Sequence, residues 1–221
     1  MFKVNDIFYS LQGEGHNTGR AAVFVRFAGC NLRCPFCDTA FDSYREMTAE
    51  QIVSSCETLS GRNGIAVMQD LALQDDGQAP AMLAVLTGGE PTLQADAAFV
   101  ELLHRHGFEV AMESNGTLPA PVNIDWLTVS PKGVSRFGER LPDEVKIVFD
   151  ETIDPESVLH RMSLTESHRS LLTARSRLFL QPCDTGDAQC NALVLGRCVD
   201  YIKEHPQWRL SLQTHKIVGF K

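Results

Sequence analysis

"AVFVRFAGCNLRCPFCDT" (Ala22–Thr39) joins a β-rich run to a cysteine loop. Val, Phe and Ala dominate Ala22–Phe27, as a buried strand requires. Gly29 lets the chain turn, and Cys30, Cys34 and Cys37 follow, so three of the seven cysteines lie within eight positions. A structural zinc site takes four protein ligands, and a catalytic one takes three plus water. A cubane iron–sulfur cluster takes four ligands, usually all cysteine. Three nearby cysteines leave one iron of a cubane open to a substrate or cofactor. The competing readings are a zinc site that recruits a distant Cys or His and three thiols packed as small hydrophobes. Pro35 and Asp38 beside the thiols argue against plain packing. Cys34-x-x-Cys37 alone would also fit a thioredoxin-like or zinc motif.

The same order, a strand and then a polar or Gly-rich motif, recurs along the chain. Met82–Thr87 leads into Gly88-Gly89-Glu90-Pro91, Phe108–Glu113 into Ser114-Asn115-Gly116, and Trp126–Ser130 into Pro131-Lys132. Further runs are Glu144–Phe149, Arg177–Gln181 ending at Pro182, and Trp208–Gln213 ending in Thr214-His215-Lys216. These apolar runs read as buried parallel strands. Thr48 with Gln51 forms a capping box opening a helix at "TAEQIVSSCETL". Asp96 caps a second helix that Gly107 ends, Cys190–His205 reads as a third, and Asp154–Met162 as a short fourth. Leu73–Pro80 reads as an exposed loop, and no room for a helix is expected after the last strand. The prediction is an α/β fold, a partial, modified TIM-like (β/α) barrel with fewer helices than strands. In parallel barrels ligands bind at the carboxyl ends of the strands, so the motifs should meet on one face.

Composition narrows the chemistry. The 221 residues carry 20 basic and 28 acidic side chains, a formal charge of −8. That balance argues against a nucleic-acid partner. No signal peptide and no bilayer-length apolar run stands out, so a cytoplasmic protein without a membrane partner is expected, one domain over residues 1–221. Thiols stay reduced in that compartment, which favours metal or catalysis over disulfides. Cys56, Cys183, Cys190 and Cys198 lack cluster spacing and read as core thiols, with a second metal at Cys183 and Cys190 as the minor alternative. His104 and His106 read as helix-surface residues.

Cys30-x3-Cys34-x2-Cys37 with Phe36 before the last cysteine resembles the radical S-adenosylmethionine (SAM) superfamily. Gly88-Gly89-Glu90-Pro91 resembles its motif for the methionine amino group. "SLQGEGHNTG", "ESNGT", "TVSPK" and "WRLSLQTHK" are similar to the 7-carboxy-7-deazaguanine synthase family. The likeness is weakest over Phe41–Met82 and Thr152–Arg177. It implies a [4Fe–4S] cluster on Cys30, Cys34 and Cys37, with SAM on the open iron. It also implies ring contraction of 6-carboxy-5,6,7,8-tetrahydropterin to 7-carboxy-7-deazaguanine with loss of ammonia. A 5′-deoxyadenosyl radical would abstract hydrogen from C6, a step that side chains alone cannot perform.

The resemblance also implies roles for single residues. Gly88, Gly89, Glu90, Ser130, Pro131, Lys132, Gln181 and Asp184 would bind SAM, and Thr39 would help hold Mg²⁺. Leu11, Gln12, Gly13, Glu14, Arg26, Thr87 and His215 would contact substrate, with the Arg26 fork suited to a carboxylate. Alone, "QGEG" reads rather as a plain turn, Lys132 also fits a solvated charge, and Gln213 reads equally as a tie between strands. An external electron donor such as a flavodoxin and a homodimer are further implications. The alternative activity is a radical SAM activase that makes a glycyl radical on a partner protein; a zinc or electron-transfer module is the non-enzymatic one.

Overall fold

The sheet begins with a strand whose period is hidden. Phe2–Leu11 (β1) runs antiparallel to Ala21–Phe27 (β2). The register shifts between Val4 and Asp6, so Val4 and Ile7, three apart, enter the same core and break the two-residue alternation. The computed structural model describes residues 1–37, 43–61, 81–133, 135–175 and 177–221. Thr39 and the expected loop Leu73–Pro80 lie outside the described residues.

Arg45–Met47 (β3) pairs antiparallel with β1, and from β2 onward the sheet is parallel. Its further strands are Met82–Gly88 (β4), Phe108–Ser114 (β5), Trp126–Val129 (β6), Glu144–Phe149 (β7), Leu178–Pro182 (β8) and Trp208–Leu210 (β9). The order is β3-β1-β2-β4-β5-β6-β7-β8-β9, a nine-stranded mixed sheet with β3 and β9 as edges. It does not close by strand pairing. The segment after β9 nevertheless reaches the loop after β1. The Thr214 amide and hydroxyl donate to Gly13 O at 3.1 and 3.0 Å. The Gly15 amide donates to Ser211 Oγ at 3.0 Å.

Six α-helices lie among the described residues: Ala49–Leu59 (α1), Ala97–Arg105 (α2), Pro155–Arg161 (α3), Glu166–Ala174 (α4), Ala188–Glu204 (α5) and Thr214–Val218 (α6). The capping box of α1 forms as expected, with Thr48 and Gln51 bonding reciprocally. Asp96 accepts from the Phe99 amide at 2.9 Å to cap α2. Two helices depart from expectation. α4 lies in the segment with the weakest motif signal and starts at a Thr165 cap. α6 follows β9 although no helix was expected there. β9 ends at Leu210 because Ser211 turns in toward Gly15 and Gln181, which frees Thr214 to start a helical turn that Gly219 ends at φ +81°.

The two faces of the sheet differ in chemistry. On the outer face Val23, Val25, Ala84, Leu86, Val110, Met112, Leu127, Ile147 and Leu180 join one core with residues of α1 to α5, among them Ile52, Phe99, Leu159, Leu172 and Cys198. Residues at the alternate positions face inward. At the amino end of the strands they are apolar, with Ala22, Leu83, Val85 and Ala111 packed together. Toward the carboxyl end they become Arg26, Thr87, Glu113, Lys146 and Gln181, all lining one cavity. Period two places both sets, since successive side chains of a strand point to opposite faces.

Candidate active site

That cavity measures about 390 Å³ and opens where the strand ends and the cysteine loop meet. Cys30, Cys34 and Cys37 all line it. Cys30 and Cys34 are half-buried and Cys37 is exposed. Burial pushes the Cys34 thiol up against the pull of Lys132, and the Cys37 and Cys30 thiolates push it further, so the sulfurs share one neighbourhood. The Leu32 amide donates to Cys30 Sγ at 3.4 Å, and Asn115 Nδ2 on the facing wall lies 3.9 Å from it. Three soft sulfur donors with N–H groups directed at sulfur suit an iron–sulfur cluster, whose thiolates take such hydrogen bonds. Among the described residues the His, Cys, Asp and Glu side chains form no ready single-ion cage; a cubane, larger than one ion, does not require one.

The glycine pair after β4 has a local physical cause. Gly88 stands at φ +117°, and a Cβ there would strike the Phe27 backbone. A Cβ on Gly89 would strike the Gly29 carbonyl. The Gly89 and Glu90 amides donate to Phe27 O and Gly29 O at 3.0 and 2.9 Å. Bare backbone is needed for β4 to lean directly on the cysteine loop. Glu90 is fully buried beneath, outside the cavity lining. It accepts from Thr92 Oγ1 at 2.6 Å, Ser114 Oγ at 2.9 Å and the Asn115 amide at 2.8 Å. Its carboxylate thus ties the β4 exit to the β5 exit.

The opposite wall is set by charge. Arg26 lines the cavity from β2, its guanidinium 5.3 Å from the Phe8 ring centroid. Among the described residues it has no carboxylate partner. Thr87 stands beside it in register on β4. The loop after β1 folds inward and brings Leu11, Gln12, Gly13 and Glu14 to the lining. His215 presses on that loop, and a Cβ at Gly13 would lie 2.6 Å from His215 Nδ1. Lys132 bonds to Ser130 Oγ at 2.9 Å and covers the Phe36 ring at 4.8 Å, so it is no solvated charge. Burial draws the Lys132 ammonium down to about 8, with Cys34 pulling the other way.

Of the remaining expected residues, Gln181 and Asp184 also line the cavity and Pro131 lines a neighbouring one. Lys216 at 2.6 Å, the Gly186 amide and Asn191 all donate to Asp184 and hold its carboxyl well below the usual range. Two thiols depart from the core reading. Cys190 is exposed in the first turn of α5, and Cys183, half-buried, lines the cavity. Cys56 and Cys198 are buried as expected, and burial pushes each up to about 12. His104 and His106 bond Asp125 and Glu57 at the surface.

Sequence reasoning missed Glu113 and Lys146. Lys146 Nζ lies 2.5 Å from Glu14 Oε2 and 3.0 Å from Glu113 Oε2. Burial favours neutral carboxyls at both acids, but the Lys146 charge and the bonds from Lys146 and Gln213 bring Glu14 down to about 2. For Glu113 burial and the Glu14 charge outweigh the lysine and push it up. Burial alone would lower Lys146; Glu113, Glu14 and Glu144 raise it instead. The available signal was a charge inside each apolar run, Glu113 in "FEVAMES" and Lys146 in "EVKIVF", beside a second charge at Glu109 and Glu144.

Comparison with known proteins agrees with this geometry. The radical SAM superfamily model matches residues 24–155. A 7-carboxy-7-deazaguanine synthase of Bacteroides thetaiotaomicron is 40% identical over 221 residues, covering 100% of both chains. One from Bradyrhizobium diazoefficiens is 40% identical over 233 residues, covering 100% of this chain and 99% of its own. The crystal structure of QueE from Escherichia coli superposes with a TM-score of 0.60 at 25% identity, covering 96% of this chain and 93% of that one. A radical SAM domain implies a [4Fe–4S] cluster and SAM, and the three thiols of the Cys30–Cys37 loop fit the cluster. With these likenesses running the length of the chain, it belongs to the 7-carboxy-7-deazaguanine synthase family of the radical SAM superfamily.

Proposed function

We propose that this chain contracts 6-carboxy-5,6,7,8-tetrahydropterin to 7-carboxy-7-deazaguanine with loss of ammonia. The observation that carries the reading is Arg26, a guanidinium without a carboxylate partner among the described residues, in the same cavity as the three cysteines. An Arg fork in a partly closed cavity binds a carboxylate bidentately. The cavity falls in the size range of small-ligand sites, which favours a pterin over the glycyl loop of an activase partner.

Cys30, Cys34 and Cys37 would hold the cluster, leaving one iron for SAM. Gly88, Gly89, Glu90, Ser130, Pro131, Lys132, Gln181 and Asp184 would surround SAM, with Glu90 acting through the Ser114 and Asn115 contacts it fixes. Bound there, cluster and SAM supply the hydrogen-abstracting chemistry that side chains lack. Arg26 orients the substrate carboxylate, and Leu11, Gln12, Gly13, Glu14 and Thr87 enclose the ring. His215 would close the cavity beside Gly13. Mg²⁺ beside the carboxylate, with Thr39 as a ligand, suits an ion that keeps several waters.

The reading extends to one domain over residues 1–221, an inner face curved as in a partial TIM-like barrel, a homodimer, a flavodoxin-type electron donor and a cytoplasmic setting. Among the described residues no helix is long and apolar enough to cross a membrane. The decisive experiment is anaerobic turnover of the carboxypterin with reconstituted protein, SAM and reductant. Appearance of 7-carboxy-7-deazaguanine and ammonia is expected. Reductive SAM cleavage without that product would leave a radical SAM protein with another substrate.

A further inference from the structure

Lys146 is a costly residue to place where it stands. It lies on the inner face of β7 and is 4% exposed. Taking an ammonium out of water costs several kcal/mol before any partner is counted, and an apolar replacement of a buried ion pair is often neutral or stabilising. Stability alone is a weak reason for a buried lysine between two glutamates.

The surrounding contacts form a continuous polar chain across the cavity floor. Gln213 Nε2 donates to Glu14 Oε1 at 3.0 Å, and Lys146 Nζ donates to Glu14 Oε2 and Glu113 Oε2. Gln12 Nε2 donates to Glu113 Oε1 at 3.3 Å, while Gln12 Oε1 accepts from the Glu14 amide at 3.2 Å. The chain links the loop after β1, β5, β7 and the segment after β9. Its members all line the cavity. The other charged or titratable groups acting on these residues are Glu144, His215 and Lys132. Each carboxylate oxygen has two lone pairs, so acceptor capacity remains at the cavity wall. Two adjacent carboxylates without a cation cannot both stay ionised. The lysine is what allows both to act as acceptors.

We propose that Lys146 is a positioning residue that fixes Glu113 and Glu14 as paired acceptors for the N–H edge of an amino-substituted heterocycle. The site then takes a 2-aminopyrimidinone ring and rejects its 2-oxo counterpart. A buried acceptor left facing a carbonyl oxygen loses its hydrogen bond and meets like partial charge. This inference rests on the carboxypterin reading of the site.

The test is equilibrium binding of 6-carboxytetrahydropterin and of its 2-oxo (lumazine) analogue, measured anaerobically on the cluster-loaded, SAM-bound full chain. The wild type should prefer the pterin by about 100-fold or more. In Lys146→Met the two carboxyls share a proton, and one presents an O–H donor to the ring's own donors. Pterin affinity should fall about 10- to 100-fold, and analogue affinity by less than about threefold. SAM affinity should be unchanged, and Lys146→Arg should retain the preference. Equal loss for both ligands, or an unchanged ratio, overturns the proposal. If Lys146→Met does not fold, Glu113→Gln with Lys146 in place gives the same readout. Its amide sets a donor against the ring edge, and a preference that survives it overturns the proposal too. A wild type that binds neither compound and forms no deazaguanine defeats the carboxypterin reading itself. A wild type that turns over the pterin yet binds both rings equally defeats only this inference.

Discussion

The outer and inner faces of one sheet are built from the same strands and obey different rules. On β5 Val110 and Met112 are fully buried in the outer core, while Glu113 looks into the cavity. On β7 Val145 and Ile147 join that core, and Lys146 between them carries a charge inward. Apolar burial drives folding on one side, and close packing makes every lost methylene felt there. The other side holds charges whose burial costs folding free energy. Substitutions outward should therefore cost stability, and substitutions inward should cost chemistry.

The sharpest separation is expected at the cysteine loop. Replacing Cys30, Cys34 or Cys37 with Ala should abolish cluster binding and reductive SAM cleavage with little change in thermal unfolding of the metal-free chain. Iron and sulfide analysis after reconstitution checks it. A single variant that keeps a full cluster and activity would remove the assignment. The converse case is Phe99 on α2, 2% exposed in the outer core against Phe2 and Phe27. Phe99→Ala should cost about 3–5 kcal/mol of unfolding free energy in denaturant titration. A cost under about 1 kcal/mol would mean that the outer face is not the packed side.

These differences were legible in unequal measure. The cysteine loop, the Thr48–Gln51 box and the Asp96 cap rest on neighbours within a few positions, so the sequence displays them. β1 was hidden because its bulge puts Val4 and Ile7 on one face. The apolar runs read as strands buried on both faces, yet each carries its polar residue at the inner, alternate position near the carboxyl end. Glu14 takes its side-chain bonds from Lys146, 132 residues away, and from Gln213, 199 away. Contacts of that range leave no local pattern. α6 was missed for the same reason, since it starts where Thr214 meets Gly13.

Arg26 tests the inner face in milder form. Arg26→Lys keeps the charge and removes the planar fork. Substrate affinity should fall about 10- to 100-fold, with SAM affinity and unfolding free energy unchanged, as read by anaerobic calorimetry with each ligand. Equal loss of both ligands would place Arg26 outside the carboxylate site.

The inner face should also show its cost as a pH dependence. Burial, against Lys146 and with Glu113, raises Glu144 from its ordinary 4.5 to about 7. Its Oε2 accepts from the His16 amide at 3.0 Å, while Oε1 has no hydrogen-bond partner. Trp126 Nε1 is unpaired as well. With the folded value above the unfolded one, the folded chain holds the extra proton between them. Stability is then fully present below about 4.5 and declines as pH rises through about 7. The decline should amount to about 3 kcal/mol, and Glu144→Gln should flatten it over that window. A slope of the opposite sign in the wild type, or one that the variant retains, would take this burden away from Glu144.

The smallest expected effect falls within a single helix. Cys190 and Cys198 both belong to α5, but Cys190 is exposed in its first turn and Cys198 is fully buried in the outer core. Burial pushes the Cys198 thiol up to about 12, so the nucleophilic thiolate is scarce there at neutral pH. Asp187 raises the Cys190 thiol as well, through a hydrogen bond and its charge, but leaves it open to solvent. Cys198→Ser should cost about 1 kcal/mol, because a hydroxyl enters an apolar site with no acceptor assigned to it. Cys190→Ser should stay within about 0.5 kcal/mol, the range of surface substitutions. In the folded chain a maleimide reagent should label Cys190 and leave Cys198 unmodified until denaturant is added. Equal labelling of the two would mean that α5 does not press its apolar side onto the sheet. The outer face would then lose its claim to be the side where burial alone sets the cost.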